Sequence, residues 1–278
     1  MTQQPAPEPS PDRDRPHAAG SYRVESRLPP APPLPGEVIV DVWADDVIDT
    51  LASELVIEAM KSVHRYGDFH LALSGGSTPL PLYRRLMLDP NYRQLPWKRT
   101  HLWIVDERCV PFDDLASNFR EIRETIIDHA DIPAAQVHPM PAESRHADLE
   151  YEKTLRETLC WRDKGEDRLD FVVLGMGADG HTASLFPHSD VLHEKDRLVR
   201  LVDAPLAKPR RRVTMTYPLI NAARFIAVLV LGSSKAATIQ RLATGHDSFE
   251  EMPIKGVHPT DGALKWYLDA AAVGNDAD

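Results

Sequence analysis

A histidine and an aspartate follow an apolar run in the segment GMGADGHTASLFP, which covers residues 175–187. Asp179 stands two residues before His181, and the glycines before the histidine leave the approach to its ring open. An imidazole titrates near pH 6.5, so it can accept a proton at neutral pH, and a nearby carboxylate can orient it. A single histidine is more often a capping or core residue, but the combination seen here favours a catalytic role.

The same segment also matches the dinucleotide-binding pattern G-x-G-x-x-G. Gly175, Gly177 and Gly180 supply the glycines, and Asp203 lies at about the distance expected of an acid that binds ribose. That site needs a long helix from the third glycine, whereas Pro187 would end such a helix early. The pattern also gives no role to a histidine, so a dinucleotide site is not favoured.

A second segment, SGGST, follows another apolar run and opens a predicted helix. It consists of Ser74, Gly75, Gly76, Ser77 and Thr78. Backbone N–H groups and small hydroxyls at the start of a helix suit a phosphate. A tight turn with hydroxyl capping is the alternative, but two glycines beside two hydroxyls favour an anion.

Charged side chains follow two other apolar runs, and a third group stands in a basic run. Asp106, Glu107 and Arg108 come directly after one of them, where a charged triplet is expected either to be solvated or to serve a site. The planar fork of Arg108 fits phosphate or carboxylate oxygens. Lys235 begins another predicted helix and could pair with a phosphate, although an exposed lysine is the alternative. Arg212 ends a basic run that is more often only solvated.

These segments must be positioned by an alternation of strands and helices. Apolar periodicity predicts strands at 38–42, 69–73, 101–105, 171–174, 212–216 and 225–231, and helices at 45–65, 80–88, 118–128, 149–161, 234–242 and 261–272, the last with Thr260 as N-cap. Such alternation predicts an α/β fold with a mostly parallel sheet between helices. Because ligands bind at the carboxyl ends of parallel strands, the chemically unusual segments should share one edge.

Length, charge and composition limit the function classes. The chain has 278 residues and a net charge of −10, with no basic block that would grip nucleic acid. No apolar run approaches the roughly 20 residues that span a bilayer, so we expect a cytoplasmic location and no membrane partner. Cys109 and Cys160 are far apart, and His188 and His193 are irregularly spaced from His181, so neither a disulfide nor a metal site is predicted.

The first 36 residues are rich in proline and charge and lack apolar periodicity. Such a composition predicts a disordered Pro-rich tail, because it cannot bury enough surface to offset the entropy of ordering. Residues 37–278 are predicted to form a single α/β domain.

Five segments together resemble the glucosamine-6-phosphate deaminase and 6-phosphogluconolactonase family, on its lactonase side. They are, in order, SGGSTP, VDERCVP with SNFR, GMGADGHTASLFP, RRRVTMTYPLINAAR and LGSSKA. The resemblance runs from about residue 38 to the C-terminal GALKWYLDAAA, and the glycine and histidine segment is its most specific part. It implies the Rossmann-like three-layer fold shared with ribose-5-phosphate isomerase.

The activity that the resemblance implies is hydrolysis of 6-phospho-D-glucono-1,5-lactone to 6-phospho-D-gluconate in the oxidative pentose phosphate pathway. It implies an enzyme that acts on this small sugar phosphate lactone with no metal or organic cofactor. Separately, we expect the protein to be a monomer. His181 would be the base that activates water, Asp179 would orient it, and Arg108 would face the phosphate or the developing oxyanion. The substrate-binding residues would be Ser74, Gly75, Gly76, Ser77, Thr78, Asp106, Lys235 and Arg212.

Two other functions fit parts of the sequence. A sugar-phosphate deaminase or isomerase would share the phosphate turn and the Asp-x-His turn, but its pattern has an FNEP-like turn where this chain has SLFP, and an Asp-Glu-Tyr run where it has DERCVP. A sugar-phosphate sensor would keep the pocket and lose turnover. Such regulators usually carry a helix-turn-helix, which the Pro-rich tail does not supply.

Overall fold

A computed structural model describes residues 28–160, 162–205 and 207–275 of the chain. Within these residues, ten strands form two sheets. The strands are β1 (Glu37–Asp41), β2 (Phe69–Leu73), β3 (Thr100–Ile104), β4 (Asp106–Arg108), β5 (Val137–His138), β6 (Phe171–Leu174), β7 (Val199–Asp203), β8 (Arg211–Met215), β9 (Phe225–Val230) and β10 (Ala263–Asp269).

The main sheet has seven parallel strands in the order β1-β10-β9-β6-β2-β3-β5. β2, β6 and β9 are buried along their whole length, as their unbroken apolar sequences predict for central parallel strands. From β2 the chain continues toward β3 and β5, whereas from β6 it continues toward β9 and β10. The segments that leave β2 and β6 therefore diverge, and they open a crevice at the point where the strand order reverses.

Six α-helices accompany the strands in the described residues. They are α1 (Ala44–Tyr66), α2 (Leu80–Leu88), α3 (Asn118–Ile122), α4 (Ala147–Leu159), α5 (Tyr217–Ile220) and α6 (Ala236–Thr244). α1 buries residues three and four positions apart, among them Val47, Leu51 and Leu55, and packs against β10, β1 and β2. α3 continues as a π-helical turn to Ile127, which confirms the helix predicted for 118–128. The mostly parallel α/β fold is confirmed.

A second, three-stranded antiparallel sheet was not predicted. It has the order β4-β8-β7 and begins where the chain leaves β3. Val105 joins the two sheets, because its N–H donates to Leu73 O at 3.0 Å and its carbonyl accepts from Met215 N at 2.9 Å. The small sheet therefore stands directly beside the carboxyl end of β2 and carries Arg108 and Arg212 on neighbouring strands.

The helix predicted for 261–272 is wrong, because this segment contains β10. Its alanines, leucines and lysine favour a helix locally, but it lies between β1 and β9 and pairs with both. Trp266, Tyr267 and Leu268 are buried there. Thr260 is not an N-cap, and its N–H donates to Asn221 O at 2.9 Å.

The packed part of the chain begins before residue 37. Leu34 is only 8% exposed and belongs to the core, and Pro35 O accepts a hydrogen bond from Trp266 Nε1 at 2.8 Å. The boundary predicted at residue 36 is therefore too late. The tail predicted for residues 1–27, and the predicted helix end at Trp161, lie outside the described residues.

No helix in the described ranges combines the length and the apolar character needed to cross a membrane.

Candidate active site

A cavity of about 370 Å³ lies in the crevice between the segments that follow β2 and β6. All but one of the residues predicted to act on substrate line it, namely Ser74, Gly75, Gly76, Ser77, Thr78, Asp106, Arg108, His181, Arg212 and Lys235. The exception, Asp179, contacts His181 from the side. The carboxyl ends of the parallel strands thus bring the predicted residues together, as the strand order requires.

His181 and Asp179 form a hydrogen-bonded pair at one end of this cavity. His181 Nδ1 lies 2.5 Å from Asp179 Oδ1, and the backbone N–H of His181 donates to the same oxygen at 3.2 Å. Partial burial works to raise the pKa of the Asp179 carboxyl, but its hydrogen bonds and ion pairing with His181 outweigh burial and lower that pKa. An ionised Asp179 accepts a hydrogen bond from Nδ1–H, so the proton stays on Nδ1 and Nε2 is the basic nitrogen.

The backbone around the pair requires small residues. A Cβ on Gly177 would stand 2.1 Å from His181 Nδ1 and 2.5 Å from Asp179 Oδ1, so any larger residue would displace the pair. Gly177 also closes the turn, since its N–H donates to His181 O at 2.8 Å. Thr238 Oγ1 donates to Ala178 O at 2.7 Å and ties the turn to α6. In the described chain no helix starts at Gly180, consistent with the exclusion of a dinucleotide site.

Two arginines face each other across the small sheet at the wall of the cavity. Arg108 pairs with Arg212 in the β4–β8 register. Arg108 Nη1 donates to Ala116 O at 2.6 Å, and Arg212 Nε donates to Pro209 O at 2.8 Å. Burial, and next the charge of Arg108, lowers the pKa of Arg212. Because like charges directly opposite each other destabilise a sheet, this arrangement favours a bound anion beside them.

The turn at residues 74–78 offers further anion-binding groups. Ser77 and Thr78 lie just before α2, and in the part of the chain that the structure describes their N–H groups have no backbone or side-chain acceptor. Lys235, half-buried, reaches the same cavity from the segment after β9, and in the described residues it has no ion-pair partner. Ser74 differs, because its hydroxyl donates to Val173 O at 2.8 Å and fixes the turn to β6.

Asp106 is buried at the floor of the cavity. Its Oδ2 accepts a 2.6 Å hydrogen bond from Ser184 Oγ, and its carbonyl accepts one of 2.7 Å from Asn118 Nδ2. Ser184 and Asn118 also line the cavity, and the sequence patterns did not single them out as site residues. They belong to SNFR and TASLFP, segments that were recognised only as parts of a resemblance.

Glu107 is buried although its neighbours suggested a solvated charged triplet. It is 1% exposed, and burial raises the pKa of its carboxyl. Four donors oppose this effect, because its oxygens accept from the N–H groups of Phe119, Asn118 and Arg108 and from Ser117 Oγ. The expectation that the whole triplet is either solvated or in the site is therefore wrong, and Glu107 holds the start of α3.

A larger cavity of about 1000 Å³ adjoins the first one. The two share His181, Phe186 and Ala207 in their walls, and the ring of Phe186 lies 4.7 Å from that of His181, centroid to centroid. The 74–78 turn, Arg108, Arg212 and Lys235 line the smaller cavity, so we assign the site to the smaller one.

A second group of titratable side chains lies at the opposite, amino end of the main sheet. Asp68, His70 and His101 have ligand atoms within 4.8 Å of one another, close enough to hold a cation. However, Trp103 Nε1 donates to His70 Nδ1 at 3.0 Å, so Nε2 carries the proton and donates to Asp68 Oδ2 at 3.1 Å. Arg162 takes the other Asp68 oxygen at 2.6 Å. Both ring nitrogens of His70 and both carboxylate oxygens of Asp68 thus already have hydrogen-bond partners, which makes the cluster a poor metal site.

Comparison with known proteins points to one family. Residues 43–266 match the family model described as glucosamine-6-phosphate isomerases/6-phosphogluconolactonase. A 6-phosphogluconolactonase of Haemophilus influenzae is 34% identical over 232 residues, which cover 83% of this chain and 95% of that protein. The human GDH/6PGL endoplasmic bifunctional protein is 39% identical over 246 residues. This chain spans 29% of the length of the human protein.

A solved structure gives the same result. The crystal structure of 6-phosphogluconolactonase from Thermotoga maritima superposes with a TM-score of 0.70 at 29% identity, covering 84% of this chain and all of that one.

Proposed function

The chain belongs to the glucosamine-6-phosphate isomerase and 6-phosphogluconolactonase family, and we propose that it hydrolyses 6-phospho-D-glucono-1,5-lactone to 6-phospho-D-gluconate, the lactone-opening step of the oxidative pentose phosphate pathway. One observation carries the proposal. His181, held by Asp179, and an anion-binding turn flanked by Arg108, Arg212 and Lys235 line one cavity of about 370 Å³.

Lactone hydrolysis is acyl transfer to water and needs a base, a stabilised oxyanion and a hold on the distant phosphate. His181 Nε2 takes a proton as water attacks the lactone carbonyl carbon, and a tetrahedral intermediate forms. Asp179 stabilises the resulting imidazolium. The bond from that carbon to the ring oxygen then breaks, and the imidazolium returns its proton to the leaving oxygen. The product acid ionises in water.

The cations divide between the two ends of the substrate. Lys235 and the N–H groups of Ser77 and Thr78 hold the phosphate at the start of α2, where the helix dipole also favours an anion. Arg108, on β4, faces the phosphate or the oxyanion that forms at the carbonyl. Arg212, on the adjacent strand β8, adds a second positive charge beside Arg108. In this assignment every step uses side chains of the protein and water.

The test is a coupled assay with freshly generated 6-phosphogluconolactone, in which 6-phosphogluconate formation is followed and spontaneous hydrolysis is subtracted. Hydrolysis above the spontaneous rate supports the proposal. Ammonia release from glucosamine-6-phosphate without lactone hydrolysis would assign the chain to the deaminase branch instead. Binding of the sugar phosphate without turnover of either substrate would indicate a sensor. The cytoplasmic location and the monomeric state stay predictions.

Replacement of Lys235 by alanine is expected to raise KM for the lactone by about 10- to 100-fold with a smaller change in kcat. A hydrogen bond to a charged group contributes about 1.5–3 kcal/mol, and the phosphate is bound both before and during the reaction. Lys61→Ala is the matched control, because the Lys61 side chain is 66% exposed on α1 and pairs with Glu58, outside the cavity lining. A large loss of kcat at unchanged KM would place Lys235 at the carbonyl instead.

A further inference from the structure

We propose that Glu121 is a positioning residue that holds the 74–78 turn in its phosphate-binding shape. The inference rests on the proposed function in assigning phosphate to that turn. Its main support is one contact, a 2.8 Å hydrogen bond from the backbone N–H of Gly76 to Glu121 Oε2. Gly76 has a φ of +100°, in the left-handed region. Because glycine adopts positive and negative φ about equally readily, a hydrogen bond is needed to select this backbone conformation.

This contact directs the backbone N–H of Gly76 away from the cavity. Glu121 does not line the cavity, whereas the glycine does. The Gly76 N–H is thus committed to a carboxylate outside the cavity, and the N–H groups of Ser77 and Thr78 are left for phosphate. Glu121 therefore acts on the ligand through the backbone of the turn.

Glu121 belongs to α3, and hydrogen bonds to Glu107 hold the start of this helix. Glu107 Oε1 accepts from Asn118 N at 2.8 Å, and Glu107 Oε2 accepts from Phe119 N at 2.7 Å. Since Glu107 belongs to β4, these bonds fix α3 relative to the strand that carries Arg108. The phosphate turn and the arginine are consequently positioned by one connected set of hydrogen bonds.

A second contact from the same helix reaches the neighbouring glycine. Asn118 lies three residues before Glu121 and so shares its face of the helix. The Asn118 amide is oriented by its bond to Asp106 O, and a Cβ on Gly75 would come within 2.0 Å of Asn118 Oδ1. α3 therefore contacts both glycines of the turn, Gly75 by close packing and Gly76 by the hydrogen bond.

The charge of Glu121 distinguishes a geometric role from an electrostatic one. A carboxylate beside a phosphate site repels the ligand, so any benefit to binding must come from the hydrogen bond that shapes the turn. Glutamine keeps an acceptor oxygen and removes the charge, whereas alanine removes both. The two substitutions are therefore expected to change phosphate affinity in different ways.

The experiment measures binding of inorganic phosphate by calorimetry, and KM and kcat for the lactone, in Glu121→Ala, Glu121→Gln and wild type. We expect alanine to raise both the phosphate Kd and KM by about tenfold, the effect of one lost hydrogen bond, with kcat changed by less than about threefold. Glutamine is expected to keep Kd within about threefold of wild type or to lower it. Glu124→Ala is the control, because Glu124 pairs with Arg120 at the surface of the same helical segment.

Unchanged phosphate binding in Glu121→Ala, or equal weakening in Glu121→Gln, would overturn the inference. Because phosphate binding is measured without turnover, the two proposals fail separately. Wild type that binds phosphate but leaves the lactone intact contradicts only the proposed function. Wild type that hydrolyses the lactone while Glu121→Ala keeps its phosphate affinity contradicts only the role of Glu121. Wild type that binds no phosphate contradicts the assignment of the turn, and with it the role of Glu121.

Discussion

His181→Ala is expected to lower kcat for the lactone by about 10²–10⁴, the range that loss of a positioned general base produces. The reason is geometric, since His181 is the titratable side chain that combines an oriented ring with an open face on the cavity. Asp179 Oδ1, at 2.5 Å from Nδ1, fixes the tautomer that leaves Nε2 as the proton acceptor. Substrate binding uses other residues, so KM should change little.

The measurement is the coupled lactone assay, run above the spontaneous rate. His193→Ala is the control, because His193 is 58% exposed, pairs with Glu250 and does not line the smaller cavity. We expect it to keep wild-type kcat. Full activity of His181→Ala would contradict the assignment of His181 as the base. An equal loss in both variants would indicate damage to the surrounding loop.

The position of the site could be predicted because it depends on strand ends. The fully buried runs that became β2 and β6 are recognisable from unbroken apolar sequence, and the residues after such strands must meet at one edge. Gly76, Arg108 and His181 are all placed by this rule. The rule gives the edge of the sheet and the order of its segments, and local residue types give the chemistry.

The features that could not be predicted from the sequence depend on contacts between distant segments. β10 contains good helix formers and is a strand because β1 and β9 pair with it. Glu107 is buried because the start of α3, ten or more residues later, supplies its donors. Glu121 reaches Gly76 across 45 residues. A one-dimensional pattern of apolar and charged residues contains none of these distances.

Acidification from pH 6.5 to pH 4.5 is expected to lower the free energy of unfolding by about 3–4 kcal/mol through a buried histidine stack. The stack consists of His70, His101, His138 and Trp103. The rings of His138 and Trp103 stack at 3.8 Å, and those of His70 and His101 at 4.5 Å. His101 Nδ1 lies 3.0 Å from His138 Nε2, so at least one of this pair must be neutral for a hydrogen bond.

The direction follows from the folded-state pKa values. Burial is the main cause of both shifts, and it lowers the pKa of His138 to about 3 and that of His101 to about 4. In the unfolded chain both titrate near 6.5. The folded state binds fewer protons, so stability is complete above about pH 6.5 and falls as the pH decreases toward the folded values. Each group contributes up to about 1.4 kcal/mol per pH unit, less for the partly exposed His101.

The stated pH range separates the stack from its charged neighbours. Asp68 lies beside His70 and His101. Although burial opposes the effect, the hydrogen bond from His70 and the hydrogen bond and ion pair with Arg162 lower the pKa of the Asp68 carboxyl. Asp68 therefore stays ionised above pH 4.5, and its own loss of stabilisation begins only at lower pH. The decrease between pH 6.5 and 4.5 is thus expected to come mainly from His101 and His138.

His138→Phe tests this attribution, because phenylalanine keeps a ring against Trp103 and removes the titrating nitrogens. Denaturant unfolding at several pH values should give a decrease of about half the wild-type size between pH 6.5 and 4.5. His64→Ala, at an exposed position of α1, should keep the full decrease. A His138→Phe variant that loses as much stability as wild type over this range would show that other groups cause the acid sensitivity. We expect the loss to begin at edge strand β5. His138 is one of its two residues, and the hydrogen bond of His138 to His101 and its contact with Trp103 attach β5 to β3.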